Sequence, residues 1–221
     1  MLEEEKMPHV GSGKNLSSQD SERRSQVVAL DAVCAVCDCC HGARKLLSVL
    51  EVGAGDGRLA GEGSGELQKI MLHVSNGRPL ISEMINRGFH LIDAVDSSKT
   101  KLSLLRRQAL YDNYYTCSDN YNHLPMEDGV YGLVLAVGCF HQRHVPCSAI
   151  SELARVTKQE GLLVLSVLQE DGLDSWAEYK SRLESTMMAL HTDGIMELVA
   201  RDLASNFSDH RTRIIYIFKK C

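Results

Sequence analysis

A short apolar run that ends in an acid and a glycine loop constrains this chain more than any other feature. Residues 46–52 are rich in Leu and Val, which is typical of a buried parallel strand. Glu51 stands near the end of that run, and Gly53, Gly55 and Gly57 follow at every second position. Glycine is used where the backbone turns sharply or lies against a ligand without a Cβ in the way. A strand, an acid and a glycine loop together predict a nucleotide-type cofactor site at the carboxyl edge of a sheet.

The spacing of the glycines separates the cofactor classes. A dinucleotide-binding loop requires G-x-G-x-x-G, but Arg58 occupies the position of its third glycine. The P-loop pattern G-x-x-x-x-G-K-[ST] does not occur in the sequence. The pattern E-x-G-x-G-x-G resembles instead motif I of the class I S-adenosylmethionine-dependent methyltransferases. An acid at the root of the loop suits this cofactor, which has no phosphate but carries a cationic amino group and a sulfonium. A glycine turn after an ordinary core strand is the alternative.

Length and charge exclude several classes of protein. The chain has 221 residues, 44% of them hydrophobic, which is enough for one domain with a sizeable core. A net charge of −5 argues against a nucleic-acid partner or capture by an anionic membrane. No apolar run approaches the ~18 residues of a membrane span, and the acidic first residues do not resemble a secretory signal. We therefore expect an intracellular, cytoplasmic protein whose cysteines are reduced.

The distance from the glycine loop to the second acid predicts an insertion. In a βαβ nucleotide site that acid follows the loop by about 20 residues, whereas the natural candidate here, Asp96, lies 45 residues after Glu51 (96 − 51). Residues 58–78 carry the excess, because their removal leaves a separation of 24 (45 − 21). We expect 58–78 to be an insertion within a single domain at 23–221. Residues 1–22 are polar and aperiodic, and we expect them to be disordered or loosely attached.

Strand patterns alternate with helical patterns along the rest of the chain. The predicted strands are 91–95, 114–117, 131–138, 162–168, 197–203 and 214–218, and the predicted helices lie at 23–40, 79–88, 97–110, 145–158 and 174–191. This order resembles the Rossmann-like α/β sheet of the class I methyltransferases, mostly parallel with an antiparallel last strand and helices on both faces. Residues 145–158, the following Gly161-Leu-Leu-Val and the segment 214–217 are similar to the Williams–Beuren-region methyltransferase-like family.

That resemblance implies a cofactor and a set of residues to hold it. The cofactor would be S-adenosyl-L-methionine, and the transferred methyl group would go to an unknown small-molecule or protein acceptor. Asp96 suits two ribose hydroxyls, although an Asp in that position could instead cap the following helix. Asp119 would border the adenine, although in a Ser-Asp-Asn segment it could be only a turn residue. The expected cofactor-binding set is Glu51, Gly53, Ala54, Gly55, Asp96, Ser97, Asp119 and Val137.

A histidine after the fourth strand is the candidate general base. Methyl transfer depends mainly on holding the acceptor in line with the methyl–sulfur bond, and a base is needed only if the acceptor loses a proton. His141 stands at the carboxyl end of that strand, where the methyl group should point, and His144 is the next candidate. Either histidine could also be an exposed bystander.

Some features of the sequence allow a metal site or a different function. The run of cysteines from Cys34 to Cys40, followed by His41, contains metal-ligand residue types, but it lacks a second C-x-x-C. We expect these cysteines to pack in the core and expect no metal.

Members of the Williams–Beuren-region methyltransferase-like family usually carry a Tyr-Asp-x-Trp-Ala-like segment before the first core helix, and residues 1–22 contain none. Together with the insertion, this motivates a rival function as a binding module that has lost turnover. An NAD-dependent oxidoreductase is a second rival, disfavoured by Arg58.

Overall fold

The molecule is built on one seven-stranded sheet. The computed structural model describes residues 29, 31, 33–34, 44–54, 80–109, 111–117, 121–140, 144–169, 174–205 and 212–221. The strands are β1 (Ser48–Val52), β2 (Leu91–Asp96), β3 (Tyr114–Thr116), β4 (Tyr131–Val137), β5 (Thr157–Leu168), β6 (Met196–Ser205) and β7 (Thr212–Lys220). The helices are α1 (Leu80–Asn86), α2 (Lys99–Gln108), α3 (Ala149–Val156) and α4 (Asp174–Thr192), with a 3-10 turn at Arg44–Leu46. Helical backbone also occurs at Ala29, Asp31, Val33 and Cys34.

The sheet is parallel except at one edge. Its strand order is β3-β2-β1-β4-β5-β7-β6. The pairs β1–β2, β1–β4, β2–β3 and β4–β5 are parallel, whereas β7 runs antiparallel to both β5 and β6. All seven residues of β4 are buried, as expected for the centre of a sheet that is covered on both faces. The predicted fold class, a mostly parallel sheet with an antiparallel last strand and helices on both faces, is confirmed.

Helices cover the two faces of the sheet and enclose two apolar layers. The layer under α3 and α4 contains Leu50, Val134, Leu153, Leu165, Leu183 and Met187, among others. The opposite layer lies under α1, α2 and the helical residues near Val33, and it contains Val49, Ile81, Met84, Leu102, Leu133 and Leu135, among others. Alternate residues of β1 therefore point into different layers, with Leu50 in the first and Val49 in the second.

The connecting helices change from one face of the sheet to the other between β1 and β4. The helices that follow β1 and β2 pack on the face of the second layer, and the helix that follows β4 packs on the other face. In an open parallel sheet, ligands bind outside the carboxyl ends of the strands at such a switch point. The fold therefore places its natural crevice at the end of β1, where the glycine loop begins.

One predicted helix is shorter than expected. The sequence predicts a helix over 145–158, but α3 covers only Ala149–Val156. The preceding residues form a turn, in which the amides of Ala149 and Ile150 donate to the carbonyls of Pro146 and Cys147. At the other end, β-branched Thr157 takes an extended conformation and pairs with β4, so β5 begins directly after the helix. A turn therefore replaces the first residues of the predicted helix, and strand pairing replaces its last ones.

Several sequence predictions concern residues outside this description. These are the N-terminal segment 1–22, the insertion 58–78 and most of the predicted helix 23–40. Within the described ranges, none of the helices combines the length and apolar character that crossing a bilayer would require.

Candidate cofactor site

The chain turns sharply where β1 ends. The amides of Gly53 and Ala54 both donate to the carbonyl of Val95, at 2.8 and 3.4 Å, which carries the backbone over the end of β2. Gly53 has a φ of +67°, a region that L side chains rarely adopt. A Cβ added there would lie 2.5 Å from the Cβ of Cys139, in the loop that follows β4. Both the backbone turn and the close approach of the two loops therefore require glycine at this position.

The register of the sheet brings the predicted site residues to one face and one edge. Glu51 pairs with Ala94 of β2 and with Leu135 of β4. Asp96 and Val137 stand two residues further along those strands, so their side chains point to the same face as that of Glu51. From the strand spacing and the rise per residue, the Cα atoms of Glu51 and Asp96 are about 8 Å apart. The carboxyl edge thus carries two acids on neighbouring strands, beside a glycine turn.

The Glu51 carboxyl is buried with a neutral partner. Its residue is 8% exposed, and its Oε2 accepts a hydrogen bond of 2.9 Å from the phenol of Tyr111. The pKa of Glu51 is raised from 4.5 to about 7, because burial raises it by more than the hydrogen bond from Tyr111 lowers it. Among the described residues, no hydrogen bond reaches the other oxygen, Oε1, and no cation forms an ion pair with the carboxyl. A cationic group placed beside Oε1 would stabilise the ionised form.

Asp96 is the last residue of β2 and lies at the same edge, two positions before Ser98, the N-cap of α2. Its Oδ1 accepts from the amide of Ser98 at 2.7 Å, and the Oγ of Ser98 accepts from the amide of Lys101 at 3.4 Å. The capping alternative for Asp96 is therefore present in the geometry. The hydrogen bond from the Ser98 amide and a ligand role do not exclude each other, because a carboxylate can accept several hydrogen bonds.

Tyr121 is a residue of this edge that the sequence reasoning missed. It is 2% exposed, with a φ of +62°, and its phenol oxygen accepts from the amide of Ser97 at 3.2 Å. Its own amide donates to the Sγ of Cys117. Burial, followed by the nearby charge of Asp96, raises the pKa of Tyr121 well above its usual range. The loop after β3 thus reaches the end of β2, although a single Tyr among polar loop residues gave no signal of that contact.

Some predicted residues fall outside the described structure. Gly55, Asp119 and the candidate base His141 lie there, so their predicted roles stay predictions. His144, the second candidate base, is exposed on the turn before α3. Metal-ligating side chains do not gather in groups of three or more anywhere in the described ranges.

Comparisons with known proteins find similarity to methyltransferases in sequence and in fold. Residues 72–165 match the family described as "Methyltransferase domain". A human protein, methyltransferase-like protein 27, is 33% identical over 129 residues, which are 58% of this chain and 51% of that protein. The chain therefore spans about half the length of this curated relative.

Solved structures share the whole architecture. A magnesium protoporphyrin IX methyltransferase from Synechocystis PCC 6803 with bound SAH has a TM-score of 0.58 at 16% identity, covering 96% of this chain and 90% of its own. The N-methyltransferase NodS from Bradyrhizobium japonicum WM9 has a TM-score of 0.57 at 12% identity, covering 92% and 97%. The chain has the class I methyltransferase fold. In this methyltransferase fold, the acids of β1 and β2 and the turn at Gly53 stand at the topological switch point.

Proposed function

We propose that this chain is an S-adenosylmethionine-dependent methyltransferase that transfers a methyl group to a small-molecule or protein acceptor. The observation that carries the proposal is the shared face of Glu51 and Asp96 beside the Gly53 turn, on adjacent strands at the switch point. The methyltransferase-domain match and the human relative support it from sequence, and the solved methyltransferases support it from fold.

The chemistry of these residues fits the cofactor. Oε1 of Glu51, which accepts no hydrogen bond among the described residues, would receive its amino group, and the carboxylate of Asp96 would receive two ribose hydroxyls. The turn of Gly53 and Ala54 leaves backbone accessible for close approach. We propose that Gly55, Ser97, Asp119 and Val137 complete the site, with Asp119 at the adenine. When bound, the cofactor supplies a methyl group made electrophilic by the adjacent sulfonium.

The chain's own part in the reaction is to position the acceptor and exclude water. The loop after β4 begins at Gly138 and packs on the Gly53 turn through Cys139. Residues that follow on this loop would hold the acceptor in line with the methyl group. His141, on the same loop, is our proposal for the base that takes a proton from an acceptor that must lose one. We further propose that residues 23–221 form the methyltransferase domain, with 58–78 as an insertion and 1–22 loosely attached.

Calorimetric titration with S-adenosylmethionine tests this function. We expect binding by the wild-type chain and a loss of about ten- to a hundredfold in affinity for Asp96→Asn, because two charge-assisted hydrogen bonds become weaker. Asparagine keeps an acceptor for the Ser98 amide, so the helix start should survive. The matched control is Asp93→Asn, whose carboxylate on the same strand bonds Tyr131 on the other face.

The outcomes separate the rival functions. No heat and no thermal shift with S-adenosylmethionine would favour a binding module, and binding of NADH alone would favour an oxidoreductase. Wild-type affinity in Asp96→Asn would show that the acid of β2 does not hold the cofactor.

A further inference from the structure

The phenol that reaches Glu51 comes from a residue to which neither the sequence motifs nor the comparisons assign a role. Tyr111 lies between α2 and β3, is 7% exposed and stands 60 positions from Glu51 along the chain. Its hydroxyl donates to Oε2 of the carboxyl at 2.9 Å. This contact is a buried side-chain pair at the centre of the proposed cofactor site. The inference below therefore rests on the proposed function.

Neighbouring residues fix the Tyr111 ring. Its amide donates to the phenol of Tyr114 at 3.1 Å, and that phenol donates to the carbonyl of Leu105 at 3.2 Å. The two tyrosine rings meet edge to face, with centroids 5.5 Å apart at 74°. The next residue, Asp112, exchanges two hydrogen bonds with the backbone of Ile92, both of 2.8 Å. Tyr111 is thus held to both α2 and β2, and its hydroxyl has a fixed direction.

Within the described part of the chain, no cation forms an ion pair with the Glu51 carboxyl. The apolar layer on its face of the sheet includes Ile81, Met84, Leu102, Leu135 and Val137, from α1, α2 and β4. Among the described residues, the titratable or charged groups on this side of the sheet include the Asp96 carboxyl of β2, the Tyr114 phenol of β3 and the Arg87–Asp31 ion pair. Desolvation without an opposite charge raises the pKa of the carboxyl, as its value of about 7 reflects.

We propose that Tyr111 is a positioning residue of the cofactor site: it fixes the Glu51 carboxyl so that Oε1 receives the cofactor ammonium, and the carboxyl releases its proton on binding. Before the cofactor binds, the carboxyl shares one of its oxygens with Tyr111 and is mostly protonated below its pKa of about 7. The arriving ammonium supplies the missing positive charge. The O–H bond of the carboxyl then breaks, the proton passes to the buffer, and an ion pair remains.

Two opposing effects of Tyr111 make the inference testable. Its hydrogen bond favours the ionised carboxyl, so Tyr111→Phe should raise the pKa of Glu51 further. The same change frees the carboxyl to rotate, so the ammonium meets a less ordered acceptor. The variant should therefore bind the cofactor more weakly and release more protons when it does.

The first measurement uses the chain without cofactor. Carbon-13 detected NMR of glutamate-labelled protein follows the carboxyl of Glu51, with Glu51→Gln identifying its resonance. We expect Tyr111→Phe to move the titration midpoint to higher pH. The matched control is Tyr131→Phe, which removes a phenol that donates to Asp93 at 2.8 Å on the opposite face of β2. This control should leave the Glu51 midpoint in place.

The second measurement is calorimetric titration with S-adenosylmethionine at pH 7 in buffers of different ionisation enthalpy. Because pH 7 lies near the pKa of Glu51, the wild-type chain should release about half a proton per cofactor. Tyr111→Phe should release close to one proton and bind about tenfold more weakly. Tyr131→Phe should match the wild type in both quantities.

The results distinguish the inference from the function it rests on. Absence of any binding by the wild type would overturn the proposed function, and this inference with it. Normal binding with no proton release, or with equal midpoints and affinities in Tyr111→Phe, would overturn only the role of Tyr111.

Discussion

Replacing Glu51 with glutamine gives a prediction about stability that needs no ligand. Its folded-state pKa of about 7 lies above the ordinary value of 4.5, so the folded chain favours the protonated form. Such a group contributes stability that is fully present below the unfolded-state pKa and is lost as pH rises through the folded-state pKa. The loss therefore falls between pH 4.5 and 7 and stays constant above that window.

The magnitude follows from the size of the shift. Raising the pKa of Glu51 from 4.5 to about 7 corresponds to about 3 kcal/mol in the free energy of unfolding, of which about 2.5 kcal/mol develops between pH 5 and pH 8. Glutamine has no proton to lose and keeps an oxygen for the Tyr111 phenol. The free energy of unfolding of Glu51→Gln, relative to the wild type, should therefore rise by about 2.5 kcal/mol between pH 5 and pH 8. The corresponding difference in Tm should grow by roughly 5–10 °C.

Urea unfolding of both chains at several pH values measures this difference. Other titrating groups contribute equally to the two chains, so their effects cancel when the free energies of unfolding are subtracted. Glu127→Gln, at an exposed side chain, is the control for the effect of the substitution itself. A flat difference for Glu51→Gln would refute the reasoning, since it would mean that Glu51 ionises as readily in the folded chain as in the unfolded one.

Two further substitutions, one at the Gly53 turn and one at the opposite end of the sheet, test how the structure is stabilised. Gly53→Ala should lower the free energy of unfolding by about 2–4 kcal/mol, because it combines a positive φ with a clash against Cys139. Gly194→Ala, at a φ of +70° with open space around it, should lose only about 1–2 kcal/mol in the same urea assay. Arg155→Met should lose about 2–3 kcal/mol, since it leaves the buried Glu152 without its bidentate partner. Equal losses of stability in Gly53→Ala and Gly194→Ala would contradict the first prediction. A loss in Arg155→Met no greater than that for an exposed arginine would contradict the second.

Local patterns predict the elements of the fold because each pattern follows from the periodicity of burial. The apolar pattern of Tyr131–Val137 predicts a buried strand, and every residue of that strand is buried. The alternation of strands and helices predicts a mostly parallel sheet, and its antiparallel last strand is implied only by the resemblance to the class I methyltransferases. Where two patterns compete, as at Thr157, the sequence predicts a helix and the structure forms a strand. Pairing with β4 decides that case, and it is not visible locally.

The candidate site likewise contains residues that local patterns predict and residues that they do not. Glu51, Gly53 and Asp96 are predictable, because acids and glycines at strand ends have few structural uses apart from turns, caps and ligand contacts. Tyr111 and Tyr121 are not predictable, because each sits among polar loop residues and acts through a partner distant in sequence. Nothing local marks a tyrosine whose hydroxyl reaches across the sheet.

The sequence by itself determined the class of fold, the strand that ends in an acid, and the chemical type of ligand that such an end can hold. Those properties depend on spacing and residue type within single elements. Only the tertiary structure decided that the two acids share a face, that Glu51 is buried beside a phenol, and that its pKa lies near neutrality. These depend on register and desolvation, which exist only once strands and loops from distant parts of the chain have packed together.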